Sequence, residues 1–294
     1  ADTITIDCDS EYFQIKQETP WDGTTLYKLY QQAYTPWEWQ PKLKKIAEDL
    51  GLICFSTPFD RTAVDFLEKM GVGVYKVASF EITDIPLIEH IASKGKPVII
   101  STGIATFSDI EEAVNACRRV KNNQIALLKC TSAYPASLED MNLKTIPDLV
   151  EKFNVISGLS DHTLGIIAPV VSVALGASII EKHFILDKKL GGTDASFSLP
   201  PEEFMAMVKS VRNAEKALGE ISYKLNERME KNRRFSRSLF AVEDIKKGEL
   251  FTEENVRSIR PGIGLAPKHL KEILGKKAKK DIKKGFPLDF NLVK

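Results

Sequence analysis

Short runs of apolar residues alternate with helical patterns along most of the chain from about residue 50 onward. Six runs are rich in β-branched residues and nearly continuous in hydrophobicity, as expected of parallel strands that are buried on both faces. They span residues 52–57, 74–79, 97–102, 125–130, 155–161 and 178–184. Successive runs end 22 to 31 residues apart, which is the length of one βα unit. The pattern therefore predicts six consecutive βα units.

The segments between these runs predict helices. Residues 60–70 place their apolar side chains on one helical face. Residues 108–120 begin with Ser108, a candidate N-cap, and continue with acidic residues in the first turn. Both features are typical of helix starts, because capping side chains and negative charge satisfy the free N–H groups there.

Six βα units in succession most simply form a (β/α)8 TIM barrel. A doubly wound open sheet is the competing fold, but only its strands at the switch point should end in chemically capable residues. All six runs end in such residues, which favours the barrel. We predict a barrel domain in residues 1–219. Its first two βα units are expected to be missing from this chain, which begins with Ala1 rather than Met.

Residues 220–237 are highly charged and predict a partly helical linker. Beyond them, the sequence Asp-Ile-Lys-Lys-Gly occurs at residues 244–248 and again at 281–285, and a valine follows each aspartate by twelve residues. This repeat predicts a small β-rich domain in residues 238–294, built from two related turns and a brief helix. A domain of this size has a limited core and should lean on a partner surface.

Charge is unevenly distributed, although the whole chain balances 41 Lys and Arg against 40 Asp and Glu. Residues 231–294 contain 17 basic and 8 acidic side chains, and the remainder contains 24 and 32. The basic tail has no nucleic-acid fold signature, so we favour docking against an acidic body over nucleic-acid binding. No apolar stretch is long enough to span a membrane. The absence of a signal peptide and of a cysteine pattern predicts a cytoplasmic protein.

Two of the four histidines, His162 and His183, end adjacent predicted strands. Both ends belong to the face of a barrel where active sites are found. Neutral imidazoles there can hold one divalent metal ion, with water or a substrate oxygen at the remaining positions. Each could instead be a structural histidine, but for the adjacent pair we favour the metal site. Glu181 lies two residues before His183, so both side chains should point to the same face of the strand, and we expect Glu181 to orient the imidazole. Lys182 should point to the opposite face, where we expect a structural ion pair outside the barrel.

Lysine and hydroxyl side chains recur at the strand ends and predict an anion site. They are Thr57, Lys76, Ser79, Ser101, Thr102, Thr131, Ser132 and Ser160. For a single Ser or Thr the better interpretation is that it merely ends a strand, but the recurrence of hydroxyls on successive strands favours a phosphate or carboxylate ligand. Lys76 lies inside an apolar run and needs a counter-charge. Glu81 is either an acid–base group or the start of the next helix. No Gly-rich nucleotide motif is present.

These strand-end motifs resemble those of the sialic acid synthases, and within that family the pseudaminic branch. Matching stretches include FSTPF at 55–59, YKVASFE at 75–81, LKCTS at 128–132, GLSDH at 158–162 and IEKHF at 180–184. The resemblance covers essentially the whole chain. It implies an enzyme with a (β/α)8 barrel followed by an antifreeze-like, or SAF, domain.

The resemblance implies that phosphoenolpyruvate condenses with an open-chain 2,4-diacetamido-2,4,6-trideoxy hexose to form a nonulosonic acid and release phosphate. It implies that His162 and His183 bind Mn²⁺, or alternatively Mg²⁺ or Co²⁺, which polarises the aldehyde. The residues implied to hold phosphoenolpyruvate are Thr57, Lys76, Ser79, Ser101, Ser132 and Ser160. Those implied to contact the sugar are Glu81, Tyr134, Asp194 and Arg260, with Glu81 also moving protons. Arg260 matches an arginine that reaches the other protomer in a domain-swapped homodimer.

Two alternatives stay open. One is the same condensation on another sugar, giving N-acetylneuraminate or legionaminate. The other is a catalytically silent carbohydrate-binding protein. An Asn stands in place of Ser132 in the sialic acid synthases proper, whereas the pseudaminic branch shares the Ser.

Overall fold

A computed structural model of the protein describes residues 1–16, 19 and 21–294. The chain forms two compact units, Ala1–Gly219 and Glu220–Lys294. No helix within the described residues is both long enough and apolar enough to cross a membrane.

The first unit holds a parallel sheet of five strands. The strands are β1 (Tyr75–Val77), β2 (Val98–Ser101), β3 (Ile125–Cys130), β4 (Ile156–Asp161) and β5 (Ile179–Lys182). Their spatial order follows the chain order, and every neighbouring pair is parallel. A doubly wound sheet reverses its order at the switch point. The sequential order therefore confirms the barrel type of topology, although the barrel is only partly closed because β1 and β5 do not pair.

The predicted strand at residues 52–57 is wrong, because these residues form no strand in the structure. Ile53 is 81% exposed and Leu52 is 60% exposed, and the sheet begins with β1 instead. An apolar run records a capacity for burial, but a strand also needs a neighbour that pairs its backbone groups. The described part of the chain supplies no such neighbour here, and Thr57 consequently lies outside the sheet.

Eight α-helices lie within the described residues of the first unit. They are α1 (Leu26–Ala33), α2 (Gln40–Asp49), α3 (Arg61–Met70), α4 (Ile85–Ala92), α5 (Phe107–Arg119), α6 (Thr145–Phe153), α7 (Ile167–Ala174) and α8 (Pro201–Leu218). Asp60 caps α3 by accepting from the Ala63 N–H at 2.8 Å. Helix α5 starts before Ser108, because Thr106 and Asp109 form a capping box that satisfies the first turn.

One face of the sheet packs against the helices, and we call it the outer face. Its side chains include Tyr75, Val77, Val98, Ile100 and Leu127, all fully buried in one cluster with apolar residues of α3, α4 and α5. The opposite side, which we call the inner face, carries the alternate residues of each strand. The apolar cluster that packs the strands against the helices therefore lies on the outer face, whereas polar side chains share the inner face with apolar residues such as Leu128.

The second unit is built around an antiparallel pair, β6 (Ser238–Ala241) and β7 (Val256–Ile259). Helix α9 (Glu227–Asn232) precedes the pair, and the short helix α10 (Leu270–Ile273) follows it. The two copies of the sequence repeat pair with each other. Asp281 accepts from the Lys247 N–H at 2.8 Å, and Asp244 accepts from the Lys284 N–H at 2.9 Å. The repeat is therefore a reciprocal turn pair.

Candidate active site

Polar side chains from four of the five strands form a connected set on the inner face. The Lys76 ammonium of β1 donates to the Ser101 hydroxyl of β2 at 2.8 Å. The Ser160 hydroxyl of β4 donates to the Glu181 carboxylate of β5 at 2.7 Å. Lys76 Nζ and Glu181 Oε2 lie 3.7 Å apart and join the two halves. The strand-end lysine and two of the predicted hydroxyls are therefore brought together.

Lys76 is the buried cation of this set, with a side chain only 7% exposed. Burial lowers its pKa below the ordinary value, while the Glu181 carboxylate acts in the opposite direction. Its ammonium also donates to the Val77 carbonyl at 2.8 Å. Glu181 thus supplies the counter-charge that a lysine in an apolar strand requires.

Two further predicted serines meet beside this set. The hydroxyls of Ser79 and Ser132 lie 2.7 Å apart, within hydrogen-bond distance. Gly103 makes room for them, because a Cβ atom at that position would lie 2.0 Å from Ser132 Oγ and 3.0 Å from Cys130 Sγ. The close approach of the loop after β2 therefore requires glycine at residue 103.

His162 and His183 directly follow β4 and β5, and their ring centroids lie 5.2 Å apart. His162 Nδ1 lies 3.0 Å from the Thr131 carbonyl oxygen, which can only accept. Nδ1 therefore carries the proton and Nε2 keeps its lone pair. His183 Nδ1 lies 3.3 Å from Asp194 Oδ2. Neither Nε2 atom has a hydrogen-bond partner among the described residues.

The environment of the pair favours neutral imidazole at His162. Burial lowers the pKa of His162 below its ordinary value, the Thr131 carbonyl opposes this effect, and nearby His183 adds to it. The hydrogen bond from His183 lowers the pKa of Asp194. A neutral ring with its Nδ1 held by a carbonyl or carboxylate is the usual form of a metal-binding histidine.

The donor set for a metal is small. Among the described residues, no group of three or more His, Cys, Asp and Glu side chains is arranged to hold an ion. Two Nε2 atoms with oriented rings nevertheless fit a divalent ion whose other positions are taken by water or substrate oxygen. His162 and His183 are therefore the residues that could hold one.

An aromatic wall borders the histidines. The Tyr134 ring lies 4.4 Å from His162, and the buried Phe197 ring lies 5.0 Å from His183. Trp21 lies 5.4 Å from Tyr134. Burial is the main cause that raises the pKa of Tyr134 to about 12. Sequence reasoning missed Trp21 and Phe197, because neither belongs to a strand-end motif.

Glu81 follows β1 and presents a carboxyl oxygen that is poorly satisfied. Its Oε2 atom is buried and has no hydrogen-bond partner in the described part of the chain. Burial raises the pKa of Glu81, although the charge of Lys76 acts against the shift. A carboxyl group that retains its proton more readily than usual is suited to acid–base chemistry.

Thr57 lies outside the five-stranded sheet of the first unit. Thr57 makes no hydrogen bond to any described residue, and Arg260 directly follows β7 in the second unit. Lys182 forms an ion pair with Asp161, as predicted, and this pair lies on the outer face.

Comparisons with known proteins identify the family of each part of the chain. Residues 1–223 match the NeuB family and residues 236–294 match the SAF domain. The chain is 51% identical over 287 residues to the pseudaminic acid synthase of Campylobacter jejuni, covering 98% of this chain and 83% of the relative. It is 42% identical over 240 residues to the N,N'-diacetyllegionaminic acid synthase of that organism, covering 81% and 72%.

A solved structure shows the same architecture. The crystal structure of the spore coat polysaccharide biosynthesis protein SpsE from Bacillus subtilis matches with a TM-score of 0.60 and 33% identity, covering 96% of this chain and 83% of that one. With a family match across residues 1–223 and relatives of high identity, this chain belongs to the NeuB family.

Proposed function

We propose that this protein condenses phosphoenolpyruvate with an open-chain 2,4-diacetamido-2,4,6-trideoxy hexose to form a nonulosonic acid of the pseudaminic type. The observation that carries the proposal is a pair of imidazoles whose Nε2 atoms have no partner in the described part of the chain, together with a buried lysine and converging hydroxyls. The higher identity to the pseudaminic acid synthase than to the legionaminic acid synthase of one organism supports this choice of sugar.

His162 and His183 would hold a divalent ion, Mn²⁺ in our proposal, with Mg²⁺ or Co²⁺ as alternatives. When bound, the ion would polarise the aldehyde oxygen of the sugar. The Thr131 carbonyl and Asp194 keep each ring in the orientation that presents Nε2. The chain's own contribution to this step is therefore the preset tautomer and direction of two rings.

The anion site would bind phosphoenolpyruvate. Lys76 offers a buried point charge, and hydroxyls offer directional donors to phosphate and carboxylate oxygens. We assign this role to Thr57, Lys76, Ser79, Ser101, Ser132 and Ser160. The short contacts between Lys76 and Ser101 and between Ser79 and Ser132 support the assignment, since they hold four of these groups close together before the anion arrives.

In the proposed reaction, carbon 3 of phosphoenolpyruvate forms a bond to the aldehyde carbon of the sugar as the C=O π bond opens. The aldehyde oxygen becomes a hydroxyl by taking up a proton, which is balanced by the proton that the water added at carbon 2 loses. Water adds at carbon 2, the bond between carbon 2 and the phosphate oxygen breaks, and phosphate leaves. Glu81 is the proposed proton-moving group, because its buried Oε2 has a raised proton affinity. Tyr134 and Asp194 would contact the sugar, and Arg260 would contact it in the partner protomer of a homodimer.

The direct test supplies the purified protein with phosphoenolpyruvate, Mn²⁺ and one hexose at a time. Phosphate release is measured together with the product mass. We expect equal amounts of phosphate and nonulosonic acid, with the fastest turnover on the 2,4-diacetamido-2,4,6-trideoxy hexose. Faster turnover on N-acetylmannosamine would favour the neuraminate alternative. Calorimetric sugar binding without any product would support a carbohydrate-binding protein instead.

A further inference from the structure

A buried ion pair lies directly behind the two histidines. Asp161 of β4 and Lys182 of β5 are opposite each other in the strand register. Their charged atoms lie 2.6 Å apart, and both side chains are 0% exposed. Asp161 immediately precedes His162, and Lys182 immediately precedes His183. The pair therefore joins the two strands on the outer face at the last position before each imidazole.

The pair also holds the residue that follows His162. The Lys182 ammonium donates to the Thr163 carbonyl, and Asp161 Oδ1 accepts from the Thr163 N–H at 2.9 Å. One ammonium group therefore contacts the residues on both sides of His162 while its own backbone leads into His183. We call Asp161, Lys182 and Thr163 the clamp.

The inner face has a second link between the same strands, but a ligand can reach that link. The Ser160–Glu181 hydrogen bond faces the proposed substrate site, and Glu181 is 39% exposed. The clamp is shielded from solvent and from any ligand on the inner face. Of the two links, only the clamp is expected to keep its geometry throughout substrate binding.

Stability alone gives a weak reason for such a pair. Removing two charges from water is expensive, and well-packed apolar residues of similar volume often serve equally well or better. A buried lysine–aspartate pair does, however, fix the local geometry. When both charged groups have all their hydrogen-bond partners, their side chains can adopt few other arrangements. The ion pair is therefore better explained by a need to place the two imidazole rings precisely.

We propose that Asp161 and Lys182 are positioning residues that set the separation and direction of the His162 and His183 rings. The inference rests on the proposed function in so far as the two rings hold a metal ion. The clamp itself touches neither metal nor substrate and acts only through the backbone that leads into each histidine.

The test uses a double variant, Asp161→Asn with Lys182→Met, which removes both charges together and leaves neither one buried alone. The matched control is Ser157→Ala. Ser157 lies on β4, has the strand parity of Asp161, and has a buried hydroxyl with no partner among the described residues. The three proteins are compared by calorimetric titration with Mn²⁺ alone and by crystal structures of the metal-free form.

In the double variant, we expect Mn²⁺ affinity to fall at least about tenfold, as for other groups that orient metal-binding histidines. We also expect the two ring centroids to depart from their separation of 5.2 Å, with the control unchanged in both respects. Wild-type ring separation together with wild-type affinity in the double variant would overturn the proposal. If the wild-type protein itself binds no Mn²⁺, the proposed function fails, and ring separation alone still decides the inference.

A second variant guards against misfolding of the first. Asp161→Glu keeps both charges and lengthens the carboxylate arm by one methylene group. It is expected to change ring separation and to weaken Mn²⁺ binding, although by less than the double variant. Unchanged rings and affinity in Asp161→Glu would count against the clamp as a positioning device.

Discussion

The inner and outer faces of β4 and β5 carry two polar systems that differ in how many hydrogen bonds their atoms can still form. On the inner side, both Nε2 atoms of the histidine pair lack a partner among the described residues. On the outer side, Lys182 donates to Asp161 and to the Thr163 carbonyl, and Asp161 accepts through both of its oxygens.

Burial does not distinguish His162 from Asp161. His162 is 5% exposed and Asp161 is 1% exposed, and they are adjacent in sequence. The difference lies in unused bonding capacity. A buried polar group with free lone pairs is costly unless a ligand completes it, whereas a saturated pair has nothing to offer a ligand. The comparison assigns chemistry to the inner face and support to the outer one.

The largest expected effect is on turnover, from His183→Ala. If His183 holds the proposed metal ion, loss of its imidazole removes several kcal/mol of charge stabilisation, so phosphate release should fall by about 10³-fold or more. Because the side chain is partly exposed, the free energy of unfolding should change by less than about 1 kcal/mol. Phosphate assays and urea denaturation measure the two quantities. Turnover close to that of the wild type would contradict the inner-face assignment.

Lys182→Met should lower the free energy of unfolding far more than His183→Ala does. It leaves the Asp161 carboxylate buried without its cation, which costs about 3–5 kcal/mol of unfolding free energy. The measurement is a urea denaturation curve, with Ser157→Ala as the control on the same face of β4. A loss below about 1 kcal/mol would mean that the outer pair is not the support that we describe.

Gly103→Ala should have an intermediate effect. The new Cβ would lie 2.0 Å from Ser132 Oγ, so Ser132 must move away from Ser79. We expect a loss of about 1–3 kcal/mol in unfolding free energy and a raised KM for phosphoenolpyruvate. The matched control is Gly73→Ala, where a Cβ meets nothing within 4 Å. Equal KM values in the two variants would argue against Ser132 in the anion site.

The smallest effect concerns pH and Glu81. Burial raises the pKa of Glu81 above its ordinary value of 4.5, so the folded protein gains stability from this group in acid and loses it as pH rises through the folded pKa. Glu81→Gln carries no charge at any pH. It should therefore be more stable than the wild type at pH 7, by less than about 1 kcal/mol, and the difference should vanish below about pH 4. A variant that is less stable than the wild type at pH 7 would contradict the raised pKa of Glu81.

Local patterns were enough to predict much of the inner face. Strand parity separates Glu181 from Lys182, and the structure places Glu181 beside Ser160 and Lys182 against Asp161. Parity is a property of consecutive residues, so it needs no knowledge of distant contacts. The histidine pair was predictable for the same reason, because two neighbouring parallel strands end on one side.

Distant contacts account for what the sequence did not reveal. Trp21 donates through Nε1 to the Thr193 carbonyl, and Phe197 packs on His183, yet no spacing rule connects these segments. The strand predicted at residues 52–57 is wrong because a strand also depends on a distant partner. The apolar pattern of these residues suits a strand, but no described element pairs with them. Asp194 came only from the family resemblance, and the structure gives it a physical role beside His183.

The most direct measurement of the central claim is a calorimetric titration of Mn²⁺ into the wild-type protein and into the His162→Ala/His183→Ala double variant. If the two imidazoles form the reacting centre, the wild type should bind one ion per chain and the double variant should bind none at the same site. Ser157→Ala should titrate like the wild type. Equal stoichiometry and affinity in the wild type and the double variant would contradict the account.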